Sequence, residues 1–161
     1  MALDFPKTAD VWDKDTSYKN VFNQIMNFLD GKTKIKILAP GAGHGRFLIQ
    51  FLREIANRMP DAQVSFVAVE PDQLAIKELH DKLVEEKFTN IKCKIEPTTL
   101  EEYLTKNKTH FDLIICLLFF HYVSHCWISL LSGLLKLLKK DGILVFDEII
   151  GETKDDQLIL N

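Results

Sequence analysis

Three glycines at alternate positions, Gly41, Gly43 and Gly45, follow the apolar run IKILA (residues 35–39) in the stretch ILAPGAGHGRF. Glycine directly after a strand permits positive φ in a sharp turn and lets a ligand approach the backbone with no Cβ in the way. A helix starting there would also aim its unpaired N–H groups at the ligand, as nucleotide sites do. Spacing narrows the choice. A dinucleotide fingerprint, G-x-G-x-x-G, needs a third glycine where Arg46 stands, and a Walker loop would need a Gly-Lys-Ser/Thr ending that is absent. Downstream, FVAVEPD puts Glu70 at the end of a second apolar run, about as far beyond the glycines as the ribose carboxylate of nucleotide-binding α/β folds. Alone, Glu70 reads as a solvated strand-end carboxylate; beside the loop, it reads as an acceptor for ribose hydroxyls.

Such groups need a scaffold, and the apolar pattern supplies one. Runs suited to buried strands are IKILA (35–39), VSFVAV (64–69), IKCKI (91–95), DLIICLLFF (112–120) and GILVFDEII (142–150). Helical spacing joins them: Leu48, Leu52, Ile55 and Met59 form one stripe, and Leu79 and Leu83 continue another begun by Ala75 or Ile76. Residues 126–138 are apolar over most of a helix circumference, and LysLysAspGly (139–142) predicts a basic last turn with a glycine stop. Val21, Ile25, Phe28 and Leu29 predict a leading amphipathic helix. The resulting order, helix then β-α-β-α-β-α-β-α-β, predicts an α/β fold with a doubly wound, mostly parallel sheet of about five strands. Ligands in such sheets bind at the carboxyl ends of the strands, where the glycine loop falls.

Other side chains offer chemistry less specifically. His121 and Tyr122 follow the fourth strand at the ligand edge, where an imidazole could orient an amine or accept its proton, although a packed histidine explains His121 as well. His44 sits within the glycine loop and reads equally as a ligand contact or a solvent-facing residue. Trp12 and Tyr18, in the leading segment, are candidates for a substrate pocket or ordinary core anchors. His121, His125 and Cys126 lack a fourth ligand at useful spacing, so no metal is expected.

Composition excludes several classes. The chain has 161 residues, 47% hydrophobic and 27% charged, which fits a globular domain with a substantial core. Its net charge of -3 and scattered Lys and Arg give no basic surface for nucleic acid. Cys93, Cys116 and Cys126 are odd in number and lack CxxC spacing, which favours a reducing compartment. The N-terminus MALDFPKTAD has no secretory pattern, so the cytoplasm is expected. Residues 113–138 are long enough to span a bilayer, but His121, His125 and Lys136 argue for a buried strand and helix instead.

The G-x-G-x-G loop with Glu70 resembles the first two cofactor motifs of class I S-adenosylmethionine-dependent methyltransferases, which have a Rossmann-like fold. IKIL before the loop, VEP after the second strand, Thr98, Thr99, Glu102 and Tyr103 in PTTLEEY, and FDLIICLLFFHYV together look most similar to histamine N-methyltransferase-like proteins. The resemblance covers residues 34–150. It implies S-adenosylmethionine as cofactor, S-adenosylhomocysteine as product and a small-molecule methyl acceptor, with an amine nitrogen expected. It also implies that Gly41 and Gly43, with Gly45 completing the loop, face the cofactor's methionine part, Glu70 and Pro71 its ribose, Thr98 or Thr99 the adenine edge, and Leu117 the adenine face. Ala39 stands where many relatives carry an acid that the histamine-type subgroup also lacks. Leu118 replaces a polar side chain of the histamine-methylating member, so histamine itself is not the expected acceptor. Methyl transfer from a sulfonium mainly requires in-line positioning, so no catalytic residue is assigned.

By this resemblance residues 1–30 form a helical lid, 34–150 the cofactor-binding core and 151–161 a short tail. The full class I fold adds a helix and two strands after the fifth strand, leaving 142–150 as an edge expected to pair with the tail or with a second copy in a homodimer. The alternative function is a shortened, non-catalytic methyltransferase-like module that acts as a binding or regulatory partner.

Overall fold

A computed structural model describes residues 16–117, 119–123 and 126–147, with side chains from residue 20 onward except at 121, 122 and 147. The chain divides into two compact units, residues 1–32 and 33–161. In the first, helix α1 (Thr16–Leu29) aligns Phe22, Ile25, Met26 and Leu29 along one stripe. The Lys32 ammonium lies 5.0 Å from the centroid of the Phe28 ring.

The second unit alternates β1 (Lys34–Pro40), α2 (Arg46–Arg58), β2 (Gln63–Val69), α3 (Gln73–Glu86), β3 (Ile91–Glu96), α4 (Leu100–Lys106), β4 (Phe111–Leu117), a 3-10 turn (Phe120–Val123), α5 (Trp127–Lys136) and β5 (Leu138–Asp147). All four strand pairings are parallel, in the order β3-β2-β1-β4-β5. Strand order reverses between β1 and β4, so the crevice between their carboxyl ends is the switch point at which doubly wound sheets bind ligands. This is the predicted Rossmann-like α/β sheet.

Alternation along the strands explains the two-sided core. Leu38, Val69, Ile114 and Cys116 pack with Leu100 and Tyr103 of α4 and with Leu130 and Leu134 of α5. Ile37, Phe66 and Leu113 point to the other face and are fully buried. Each such side chain contributes about 1.5–3 kcal/mol by leaving water. On helix α2, Leu48, Phe51, Leu52 and Ile55 are buried. Asp72 starts α3 by accepting the Ala75 N–H at 2.8 Å, and Thr99 starts α4 by accepting the Glu102 N–H at 3.3 Å.

Two element boundaries differ from expectation. The strand predicted over 112–120 ends at Leu117, and Phe120 begins a 3-10 turn. Continuous apolar character does not mark this end, because Phe120 leaves the ladder yet remains buried, stacked edge-on against Phe119. The basic turn and glycine stop predicted at 139–142 belong instead to β5: α5 ends at Lys136, and Gly142 does not adopt positive φ. A register shift falls between Phe111 and Leu113, where β4 meets β5. Gly142 fits that irregularity because a Cβ there would lie 2.8 Å from the Phe111 carbonyl oxygen. Gly142→Val is therefore expected to destabilise the fold by about 1–3 kcal/mol through backbone displacement, measured by urea unfolding. Residues 148–150, the end of the predicted fifth strand, lie outside the described residues.

Among the described residues, no helix is long and apolar enough to cross a membrane. The 113–138 stretch contains β4, the 3-10 turn and the ten-residue α5.

Candidate functional site

The three glycines occupy the turn between β1 and α2, with φ of 62° at Gly41, 52° at Gly43 and 74° at Gly45. Their tasks differ. A Cβ on Gly45 would lie 2.3 Å from Leu79, so this position lets α2 start against α3. A Cβ on Gly41 would lie 2.3 Å from the Phe119 ring, so bare backbone here accommodates an aromatic from the end of β4. At Gly43 a Cβ would meet nothing within 4 Å. Gly43 is thus the glycine that faces open space, where a ligand can approach the chain.

The loop is tied to the end of β2. Gly41 and Ala42 donate their N–H groups to the Val69 carbonyl at 2.9 and 3.3 Å, and Gly45 donates to the Ala42 carbonyl at 3.1 Å. Gly43 donates to Glu70 Oε2 at 2.7 Å, while Glu70 Oε1 accepts the Asp72 N–H at 3.0 Å. Glu70 as a residue is 8% exposed. Each of its carboxylate oxygens has two lone-pair directions, so these bonds leave acceptor capacity for ligand hydroxyls. Pro71 is exposed beside it.

Thr98 and Thr99 lie at the carboxyl end of β3. Thr99 caps α4, and the Thr98 hydroxyl donates to Glu102 Oε2 at 2.7 Å. The Lys106 ammonium first, then the Thr98 hydroxyl, hold the Glu102 carboxyl below its usual range. Thr98, Glu102 and Tyr103 line a cleft of about 400 Å³. Burial, then the nearby Glu96 charge, push the Tyr103 hydroxyl up to about 12, so it remains a neutral donor near neutral pH. Tyr103 Oη accepts a hydrogen bond from Asn107 at 2.9 Å.

Ala39 and Leu117 meet across the switch point, lining a cavity of about 70 Å³ with Gly41, Phe47 and Ile115. Among the described residues, no ionisable side chain lines it. The volume is well below the roughly 300–1,000 Å³ of small-molecule sites.

The other candidates do not all converge. His44 is exposed and turns towards α3, with Nδ1 3.1 Å from Glu78 Oε2. His121 and Tyr122 fall in the 3-10 turn, but their side chains lie outside the described residues, as does that of Tyr18 in α1. Trp12 and Leu118 also lie outside the described residues. Among the described residues, no group of three His, Cys, Asp or Glu side chains is arranged to hold a metal. Sequence reasoning missed Phe119, which packs on Gly41, and Asp72, which links Glu70 to α3. The PDQL stretch carried a signal for Asp72, an acidic cap just before a helical stripe; nothing comparable marked Phe119.

A parallel sheet with a glycine turn at its switch point and a buried acid at the end of β2 defines a nucleotide-binding α/β protein. Residues 38–144, more than half of the chain, match the family described as "Methyltransferase domain", and the chain belongs to that family. No curated protein matches the sequence. Among solved structures, the YcgJ protein from Bacillus subtilis is 18% identical with a TM-score of 0.59, covering 80% of this chain and 50% of its own. A SAM-dependent methyltransferase from Geobacter sulfurreducens, in complex with S-adenosyl-L-homocysteine, is 14% identical with a TM-score of 0.53, covering 84% and 52%. The [4+2]-cyclase SpnF is 15% identical with a TM-score of 0.58, covering 80% and 44%. At these identities the likeness is one of fold, and the chain spans about half the length of these structures.

Proposed function

We propose that the glycine loop and Glu70 bind S-adenosylmethionine and that the protein transfers a methyl group to a small molecule, with an amine nitrogen as acceptor. The observation that carries this reading is the buried Glu70 carboxylate, held between the Gly43 and Asp72 N–H groups beside open backbone at Gly43. When bound, S-adenosylmethionine supplies a methyl group already activated by its sulfonium. The protein's part is to bind, orient and exclude water. In this reading Glu70 accepts the ribose hydroxyls, Gly43 admits the ligand to the backbone, Thr98 or Thr99 faces the adenine edge, and Leu117 supplies an apolar face. Ala39 places no charge beside the methionine end, consistent with the histamine-type likeness in the sequence.

The same reading makes His121 and Tyr122 the candidates to orient the acceptor amine and Leu118 a wall of its pocket. The protein acts in the cytoplasm, with β5, one of the two outermost described strands, as the edge on which a second copy pairs. Calorimetric titration with S-adenosylhomocysteine, with NAD as control, tests the cofactor assignment: saturable binding of the first alone is expected, and binding of neither ligand by folded protein would overturn it.

A second reading is the non-catalytic module. The Phe119 ring against Gly41 favours it, because that ring fills space at the switch point itself. An amine that yields S-adenosylhomocysteine in proportion to enzyme would exclude this reading.

A further inference from the structure

A cleft of about 820 Å³ lies not at the glycine loop but between α3 and the edge strand β3. Helix α3 buries only Ala75 and Leu79, whereas Ile76 and Leu83 face this trough. Ile91, Cys93 and Ile95, alternate residues of β3, line its other wall, and Phe88 also lines it. Since β3 ends the sheet, no further strand closes that side among the described residues. Val84, on the rim, is 60% exposed. Cys93 is exposed at its surface, yet burial among these apolar walls pushes its thiol up to about 11.

Charge is segregated around the same helix. Lys77, His80 and Lys87 line the trough and, among the described residues, no carboxylate does. Of the acids of α3, Glu78 pairs with His44 and Lys82 and Glu86 with Arg53, away from the trough, while Asp81 lies 3.5 Å from His80 and Glu85 is exposed outside the trough lining. Lys77, His80 and Val84 recur at i, i+3 and i+7, one stripe running about 10 Å along the helix axis, and Lys87 stands just past its end.

We propose that this trough is the docking groove for an acidic amphipathic helix of a partner protein. The partner's apolar side chains fill the trough lined by Ile76, Leu83, Phe88 and Ile91, and its carboxylates face Lys77 and Lys87. An open groove with a linear cationic stripe matches a helix laid along it. A small anionic amphiphile would need the 70–90% enclosure typical of ligand pockets, which the open Val84 side does not provide. Addition of a strand to β3 is opposed by exposed Lys92 and Lys94, residues of the kind that protect sheet edges from pairing.

The test is a titration of the 15N-labelled 161-residue protein with a 15-residue peptide carrying leucines on one helical face and glutamates on the other. Saturable amide shifts confined to α3 and β3 are expected. Lys77→Glu combined with Lys87→Glu, both at the surface, should weaken the peptide roughly tenfold, since exposed ion pairs are individually modest. Val84→Asp should remove saturable binding while leaving the protein's dispersed amide spectrum unchanged. The proposal is overturned if the peptide produces no saturable shifts, or if its lysine-for-glutamate counterpart binds equally well. Dodecanoate shifting these amides where the peptide does not would assign the trough to an anionic amphiphile. Shifts that grow with protein concentration alone would assign it to a second copy; either result also overturns the partner-helix proposal.

Discussion

Replacing Glu70 by alanine is expected to weaken S-adenosylhomocysteine binding by at least about a hundredfold, since two charge-assisted hydrogen bonds to ribose hydroxyls at about 1.5–3 kcal/mol each are lost. The carboxylate also braces the loop through the Gly43 and Asp72 N–H groups, so alanine leaves two donors without their acceptor. Loop bracing and ligand recognition must therefore be separated. A thermal scan without ligand reports the brace, and a pair of probes, adenosine and 2′,3′-dideoxyadenosine, reports recognition. The wild-type protein should prefer adenosine, and Glu70→Ala should lose that preference whatever its stability. Glu70→Gln should fall between the two, because its amide retains one acceptor but places an NH₂ against a backbone N–H. If the variant keeps the wild-type preference for adenosine, Glu70 is only a brace and the ribose assignment is wrong.

The strand–helix alternation was legible because buried parallel strands and helical stripes have different periods, and the switch point followed from their order. The glycine turn and the strand-end position of Glu70 were legible for the same reason, since local spacing fixes both. The bonds of Glu70 were not, because they depend on how the loop folds back 27 residues earlier in the chain. Phe119 illustrates a second limit: in LLFF every residue satisfies a strand pattern, and only the packing against Gly41 distinguishes the one that leaves it. Lys139 and Gly142 illustrate a third. A basic pair before glycine is also a helix ending, and the local sequence does not reveal the carboxylate on β4 that bonds Lys139 within the strand.

That carboxylate is Asp112, and its replacement by alanine carries the largest expected loss of stability. Asp112 is 6% exposed near the amino end of β4; its Oδ2 accepts the Lys36 N–H of β1 at 2.8 Å and the Lys139 ammonium of β5 at 2.7 Å. One side chain thus joins three strands beside the register shift that interrupts the β4–β5 ladder. Alanine leaves the Lys36 N–H without this acceptor, which costs about 1–3 kcal/mol. Lys139, 42% exposed, can turn to water and adds less. A total of about 2–4 kcal/mol corresponds to a Tm lower by roughly 5–15 °C for a chain of this size. Asp112→Asn keeps a carbonyl acceptor for Lys36 and should lose about half as much. Because Asp112 lies at the opposite end of the strands from the glycine loop, S-adenosylhomocysteine affinity per folded molecule should be unchanged in the asparagine variant. A Tm of Asp112→Ala within about 1 °C of wild type would mean that the ladder, not this carboxylate, holds β5 in register, while lost affinity in a stable Asp112→Asn would mean that strand register reaches the cofactor loop.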